Sequence, residues 1–315
     1  MKQTALKFLV CPTCKDELDL HARVQHGAEI VEGSLSCREC GARYPVLRGI
    51  PRFVGRDAYA SSFGRQWNWF RTVQLDSFNG THESEQTLEA TTGWQDDDYS
   101  GRFVLDAGVG AGRFAAIVAK KGGEVIGIDL TTAVDAAYLN IGRQENVHLV
   151  QADIFAMPFR GGAFDLAYSI GVLHHTPDPR GAFGHVAAAV KQGGGFAVYL
   201  YAAYGPSHSC SDLIRKITTR LPLRMMLAIA AISIPLYSLY RVPGIGKVLQ
   251  LLCPISLHPN WRWRWLDTFD WYTPRYQWKF RYPEVFRWFR ANGFTDIEVF
   301  DDPIRMRGVR TGERA

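Results

Sequence analysis

Residues 102–130, RFVLDAGVGAGRFAAIVAKKGGEVIGIDL, leave this chain few folds to choose from. Phe103, Val104 and Leu105 make a short apolar run of the kind a buried parallel strand needs, and Asp106 stands at its carboxyl end. Gly108, Gly110 and Gly112 then allow the backbone to turn sharply and to approach a neighbour closely. Apolar residues recur with helical spacing over 114–121, and Gly122-Gly123 stop the helix. Val125, Ile126 and Ile128 supply a second buried strand, closed by Asp129. Strand, glycine turn, helix, strand and acid together form the nucleotide-cofactor corner of an open α/β sheet.

The glycine register narrows the choice. A dinucleotide corner has G-x-G-x-x-G, so that a pyrophosphate meets a helix N-terminus. Here the order is Asp-Ala-Gly-Val-Gly-Ala-Gly, and Gly112 comes one residue early. The stretch resembles motif I of the class I S-adenosylmethionine-dependent methyltransferases. The resemblance implies S-adenosyl-L-methionine as cofactor. Asp106, Gly108, Gly110 and Gly112 would then hold its amino-acid end, and Asp129, with Leu130 beside it, both ribose hydroxyls. It further implies that Asp153 accepts a hydrogen bond from the adenine amino group, with Ile154 against the ring. Read on its own residues, Asp153 is equally a turn or helix-cap aspartate. The fourth strand, FDLAYS, ends at Ser169, a cofactor-site candidate, and IGVLHHTPDP follows. In the family this segment borders the methyl-transfer site. His174 and His175 are its candidate bases, although histidines at strand ends also serve simply to bond a backbone.

The N-terminal stretch carries a second signature. Cys11-Pro-Thr-Cys14 and Cys37-Arg-Glu-Cys40 can each place two sulfurs on one metal ion, and together they complete a tetrahedron. Four protein ligands leave no position open for water, so a Zn2+ held there is structural. The stretch resembles the zinc ribbon of the small activator subunit of tRNA methyltransferases. Residues 1–10 are too short in apolar run for a secretory leader, and paired CxxC spacing favours metal over disulfides; a reducing, cytoplasmic setting is expected.

The expected fold is α/β: a Rossmann-like class I methyltransferase sheet with a small N-terminal zinc ribbon and a helical insertion before the last helix. The 315 residues divide into a ribbon (1–56), a leading helical lid (57–100), the cofactor core (101–206), an apolar and aromatic insertion (207–280), and a terminal helix with a strand hairpin (281–315). In the lid segment, Phe63, Trp67 and Phe70 share one helical face. Gln66 and Trp67 are candidates to fold over cofactor or substrate, or to pack the helix on the core. Residues 225–240 hold no charge, contain Pro235 and lie between Arg224 and Arg241. They are short of the ~20 apolar residues of a membrane span. They read first as a buried or substrate-capping helical hairpin, and second as a peripheral contact with a membrane surface. In 261–278, WRWRWLDTFDWYTPRYQW, the alternation of Trp261, Trp263 and Trp265 suits an extended stretch with one packed face. Trp271, Tyr272 and Tyr276 are candidates for a substrate wall.

The resemblance implies methyl transfer, and the apolar insertion points to a small-molecule, sugar or lipid-like acceptor, apolar or amphipathic. Two alternatives stand beside it. An RNA methyltransferase could dock nucleic acid on the ribbon, but the ribbon's Lys15, Arg23, Arg38, Arg43, Arg48 and Arg52 are scattered among acids and form no basic patch. A non-enzymatic adaptor could retain the fold, but Asp106, Gly108, Gly110, Asp129 and Asp153 are all intact. The net charge of +5 is too mild to choose a partner.

Overall fold

A computed structural model describes residues 1–55, 60–204, 208–301 and 304–311. The ribbon is a four-stranded antiparallel sheet of β1 (Leu18–His26), β2 (Glu29–Cys37), β3 (Arg43–Leu47) and β4 (Ile50–Pro51), in that order. Four helices lead from it: α1 (Ser61–Trp69), α2 (Asp76–Asn79), α3 (Glu83–Thr92) and α4 (Asp96–Tyr99). The core then alternates through β5 (Phe103–Ala107), α5 (Arg113–Lys120), β6 (Glu124–Asp129), α6 (Ala133–Ile141), β7 (Val147–Gln151), β8 (Phe164–Ile170), α7 (Pro179–Ala189) and β9 (Val190–Leu200). The described elements of the insertion are helices: α8 (His208–Thr218), α9 (Leu223–Ala231), α10 (Ser233–Tyr240), α11 (Ile245–Leu252) and α12 (Trp261–Tyr272). The chain closes with α13 (Tyr282–Ala291), β10 (Phe294–Phe300) and β11 (Ile304–Arg310).

Seven strands form one sheet in the order β10-β11-β9-β8-β5-β6-β7. The five strands from β9 to β7 are parallel, and β11 and β10 add an antiparallel hairpin at the edge, as expected. Val104, Leu105, Val125 and Ile128 are completely buried, so both faces of the central strands are covered. From β5 the chain winds outward to β6 and β7, then returns to place β8 on the other side of β5. That reversal opens a crevice at the carboxyl ends of β5, β6 and β8, where open sheets bind ligands.

The ribbon covers the exposed edge strand β7. Phe53 N–H donates to Gln151 O at 2.8 Å, and Val10 N–H to Pro158 O at 2.9 Å. The Arg52 guanidinium donates to Asp135 at 2.7 Å and to Gln151 Oε1 at 2.7 Å. Ile30, Leu35 and Val46 of the ribbon share one apolar cluster with Ile126, Ile128 and Val150 of the large sheet. The edge is therefore satisfied by the ribbon rather than left open to other strands.

Two expectations for the insertion are corrected. The tryptophan alternation does not mark an extended stretch: residues 261–272 are helix α12, started by Asn260, whose Oδ1 accepts from Arg262 N and Trp263 N. Nor do residues 225–240 fold back as a hairpin. Ile232, between α9 and α10, keeps helical angles of φ −59° and ψ −25°, so Leu223–Tyr240 runs on as one 18-residue helix. Pro235 has no N–H to give and is accommodated just past Ile232, whose N–H bonds to Ile229 O at 3.0 Å, a local tightening to 3-10 geometry within the helix. By length and hydropathy this helix meets the criteria for a membrane crossing, but Met226 and Ala230 are buried against Phe269 and Tyr272 of α12.

Candidate functional site

The four ribbon cysteines converge. Their sulfurs all lie within 4.8 Å of one another, with Cys11 Sγ 3.6 Å from Cys40 Sγ and Cys14 Sγ 3.3 Å from Cys37 Sγ. A tetrahedron with Zn–S bonds of ~2.3 Å has edges of roughly 3.8 Å, so the donor set fits the ion. Each pair is held on the same kind of knuckle. Lys15 N–H returns to Cys11 O at 2.9 Å and Gly41 N–H to Cys37 O at 3.2 Å, both residues at positive φ, 64° and 70°. Four sulfurs close the coordination shell, which leaves a structural role.

At the carboxyl ends of β5, β6 and β8 the structure opens a cavity of about 400 Å³. Gly108, Gly110, Asp129, Leu130 and Thr131 form one side, with Ile154, Gly171 and Val172 beside them. Asp129 organises this corner: Oδ2 accepts from Gly110 N at 3.1 Å, and Oδ1 from Thr131 N at 2.8 Å and Thr131 Oγ at 2.7 Å. Burial pushes its carboxyl above the ordinary range, against the opposing pull of the Thr131 and Gly110 donors. Glycine is required at 108, where φ is 105° and a Cβ would stand 2.3 Å from the Val172 side chain. Trp67 lies over the turn, with its indole 3.3 Å from where a Gly110 Cβ would be.

Other cofactor candidates sit behind this surface rather than on it. Gly112 starts α5 and packs on α6, its missing Cβ directed at Ile141. Asp106 is buried beneath the turn and accepts a hydrogen bond from Tyr168 Oη at 2.9 Å. Burial raises its carboxyl to about 7, and the nearby Asp129 adds to the rise. Ser169 is fully buried and ties β8 to β5 by donating to Ala107 O at 2.8 Å. Asp153 caps a short 3-10 turn by accepting from Phe155 N at 3.0 Å, while its neighbour Ile154 reaches the cavity.

The two histidines separate. His174 is completely buried, stacked on Tyr201 at 3.9 Å, and neither ring nitrogen has a hydrogen-bond partner among the described residues. Burial drives its pKa far down, and it is not among the residues that line the cavity. His175 lines the cavity. Its Nδ1 lies 2.8 Å from Tyr276 O, and a carbonyl only accepts, so Nδ1 carries the proton and Nε2 is the basic nitrogen. Burial lowers its pKa, and Asp270 opposes that shift.

The far wall comes from α1 and α12, with Arg113, Tyr199, Tyr201 and Arg305 between them. Helical spacing puts Trp263, Leu266, Asp267, Asp270 and Trp271 of α12 on the cavity. Gln66 Nε2 donates to Asp270 Oδ1 at 2.9 Å and Gln74 Nε2 to Asp267 Oδ1 at 3.3 Å, so the lid segment is bonded to the wall. Gln66 Oε1 and Gln74 Oε1 are buried with no partner among the described residues. Burial and then the neighbouring Asp270 raise the Asp267 carboxyl to about 7. Tyr272 turns away and donates to Pro254 O at 2.7 Å, and Tyr276 contributes its carbonyl to His175. Residues 225–240 do not line the cavity; they pack behind α12, one helix layer out, which corrects the expectation of a substrate cap. A period of two sets Asp267 and Asp270 on opposite faces of the segment, whereas the helical period of α12 sets both acids on one face.

Residues 105–198 match the family model described as a methyltransferase domain, and residues 2–49 the model described as Trm112p-like protein. A protein of Mycobacterium sp. (strain JLS), named as an uncharacterized methyltransferase, is 36% identical over 145 residues, 44% of this chain and 56% of its own length. A ubiquinone biosynthesis O-methyltransferase of Coxiella burnetii (strain Dugway 5J108-111) is 30% identical over 119 residues, 34% of this chain and 51% of its own. The chain thus spans about half the length of the curated relatives it matches. Among solved structures, a complex of the Haloferax volcanii Trm112 methyltransferase activator aligns at 13% identity and a TM-score of 0.46, over 80% of this chain and 99% of that one. Residues 2–49 are therefore a Trm112p-like domain carrying the four-cysteine cluster, joined in one chain to a methyltransferase domain at 105–198.

Proposed function

We propose that this protein methylates an amphipathic small-molecule, sugar or lipid-like acceptor through an ionisable O–H or N–H group. One observation carries the reading: the cavity that begins at Asp129 and the glycine turn continues without interruption to a wall of tryptophans, tyrosines and two carboxylates. S-Adenosylmethionine bound at Gly108, Gly110 and Asp129 supplies a methyl group already activated by the sulfonium charge. The protein's own task is alignment, exclusion of water and removal of one proton. Trp67 and Trp271 line the cavity, and Gln66 Oε1 and Gln74 Oε1, buried beside it with no partner among the described residues, are acceptors that a polar group of the substrate would satisfy. His175 Nε2 would take the acceptor's proton; burial favours the neutral imidazole that can accept it, and Asp270 favours the cation that results. The O-methyltransferase name of the Coxiella relative is in keeping with an oxygen acceptor.

The ribbon does not draw the reading toward RNA. Its exposed Arg38 is paired with Glu17 and Asp19 at 2.9 and 2.7 Å, and Arg23 is paired with Glu32. The test is transfer of labelled methyl groups to lipid, sugar and RNA extracts. Label is expected in the lipid or sugar fractions, with turnover falling on the order of 100-fold in His175→Gln while cofactor affinity is kept. Label confined to RNA overturns the acceptor class, and full turnover by His175→Gln overturns the assigned base.

A further inference from the structure

We propose that α8–α11 form a docking face for an anionic lipid bilayer, on which the protein lies flat. The first ground is a set of exposed apolar stripes. The 18-residue helix Leu223–Tyr240 presents Met225, Ile229, Ile232 and Leu239 to solvent, each 41–51% exposed and three, four or seven residues apart. Two neighbouring helices carry stripes of their own: Leu213 and Ile217 on α8, both above 60% exposed, and Ile245, Val248 and Leu252 on α11, all above 50%. The three helices touch in series, α8 against α11 and α11 against α10, so the stripes lie on neighbouring helices. Exposed apolar area of this kind on a folded protein marks an interaction site.

The second ground is charge, and it selects the partner. Residues 213–262 contain seven of the chain's 36 lysines and arginines and none of its 31 acids, which leaves 29 cations against 31 acids elsewhere. Six of the seven are exposed: Lys216, Arg220, Arg224, Arg241, Lys247 and Arg262. The acid just before this stretch, Asp212, is already paired with Lys279 at 2.6 Å. Trp261, 46% exposed, stands at the border of the patch with the Arg262 guanidinium over its ring. Apolar stripes bordered by cations and an amphipathic aromatic match the headgroup region of an anionic membrane, where apolar side chains enter the acyl boundary and cations meet lipid phosphates.

The orientation follows from packing. Length and composition alone would allow a crossing, and packing decides against it. Crossing would pull apart the cluster of Met226, Ala230, Phe269 and Tyr272 and the bond from Trp265 Nε1 to Leu227 O at 2.8 Å. Lying flat breaks neither. It sets the bilayer one helix layer from the cavity wall, because the Arg215 guanidinium of α8 donates to Trp271 O and Pro274 O of the wall segment at 3.0 and 2.6 Å. Supply of acceptor from the bilayer rests on the methyl-transfer reading; the docking itself does not.

The experiment is co-sedimentation of the full chain, without cofactor, with vesicles of phosphatidylcholine alone and of phosphatidylcholine mixed with phosphatidylglycerol. Binding is expected only to the mixed vesicles, and it should weaken as salt is raised. The Lys216→Gln/Arg224→Gln/Lys247→Gln variant should bind on the order of 100-fold less. Ile229→Glu/Val248→Glu should bind neither vesicle while retaining wild-type affinity for S-adenosylhomocysteine, which shows that the fold survives. No sedimentation with either vesicle overturns the proposal, as does equal binding to both. A dimer in light scattering that dissociates in Ile229→Glu/Val248→Glu, without vesicle binding, assigns the face to a second copy instead.

Discussion

Replacing Asp129 with alanine removes three hydrogen bonds at once, from Gly110 N, Thr131 N and Thr131 Oγ. Bonds to a charged acceptor contribute ~1.5–3 kcal/mol each when buried. Asp129 is only partly covered at the cavity mouth, so water replaces part of the loss and the fold should give up roughly 2–4 kcal/mol. The effect on cofactor binding is separate. A ribose diol would donate two charge-assisted bonds to this carboxylate, and Oδ1 already accepts two, so about 3 kcal/mol is the reasonable share. That corresponds to a loss on the order of 100-fold in affinity. Asp129→Asn keeps one acceptor oxygen and should lose about tenfold. The assay is calorimetric titration with S-adenosylhomocysteine, with thermal melting of each variant alongside. A folded Asp129→Ala protein, or Asp129→Asn if alanine prevents folding, that binds with wild-type affinity would refute the assignment of the ribose to this carboxylate.

One zinc ion per chain is expected in elemental analysis, and Cys37→Ser should lose it. Hydrogen exchange should then quicken at Val10 and Phe53, the amides that bond the ribbon to the β7 side, since metal supplies much of a ribbon's folding energy; unchanged protection in metal-free protein contradicts this. Asp106 has an ordinary value of 3.8 and is raised to about 7 in the fold, so the folded state holds the extra proton. The stability it contributes is complete below about pH 4 and is lost as pH rises through 7. Asp106→Asn keeps an acceptor for Tyr168 and should flatten that part of the urea-unfolding profile between pH 4 and 8, by an amount on the order of a few kcal/mol; an unaltered pH slope would count against it. Phe269→Ala should destabilise by ~3–5 kcal/mol, because this completely buried ring joins α12 to α9, and a loss under 1 kcal/mol in chemical denaturation would show that the wall is not so anchored.

The sequence alone determined the corner and the ribbon, because both are encoded by local spacing. An apolar run, glycines with positive φ and an acid at a strand end define the turn over 103–129 within one continuous segment, and two CxxC knuckles carry their own backbone bonds. The terminal helix and hairpin were legible for the same reason. The remainder depended on contacts distant in sequence. His174 and His175 are adjacent and chemically identical, yet Tyr201 buries one and the carbonyl of Tyr276 directs the other. Gly112 belongs to the same glycine run as Gly108 but answers to Ile141 on the next helix. The far wall of the cavity is the strongest case: Gln66 meets Asp270 across 204 residues, and Gln74 meets Asp267 across 193. Tryptophan at alternate positions satisfies a strand and a helix alike, so only the packing of α12 between the cavity and α9 decided which side chains face the cavity and which face the core.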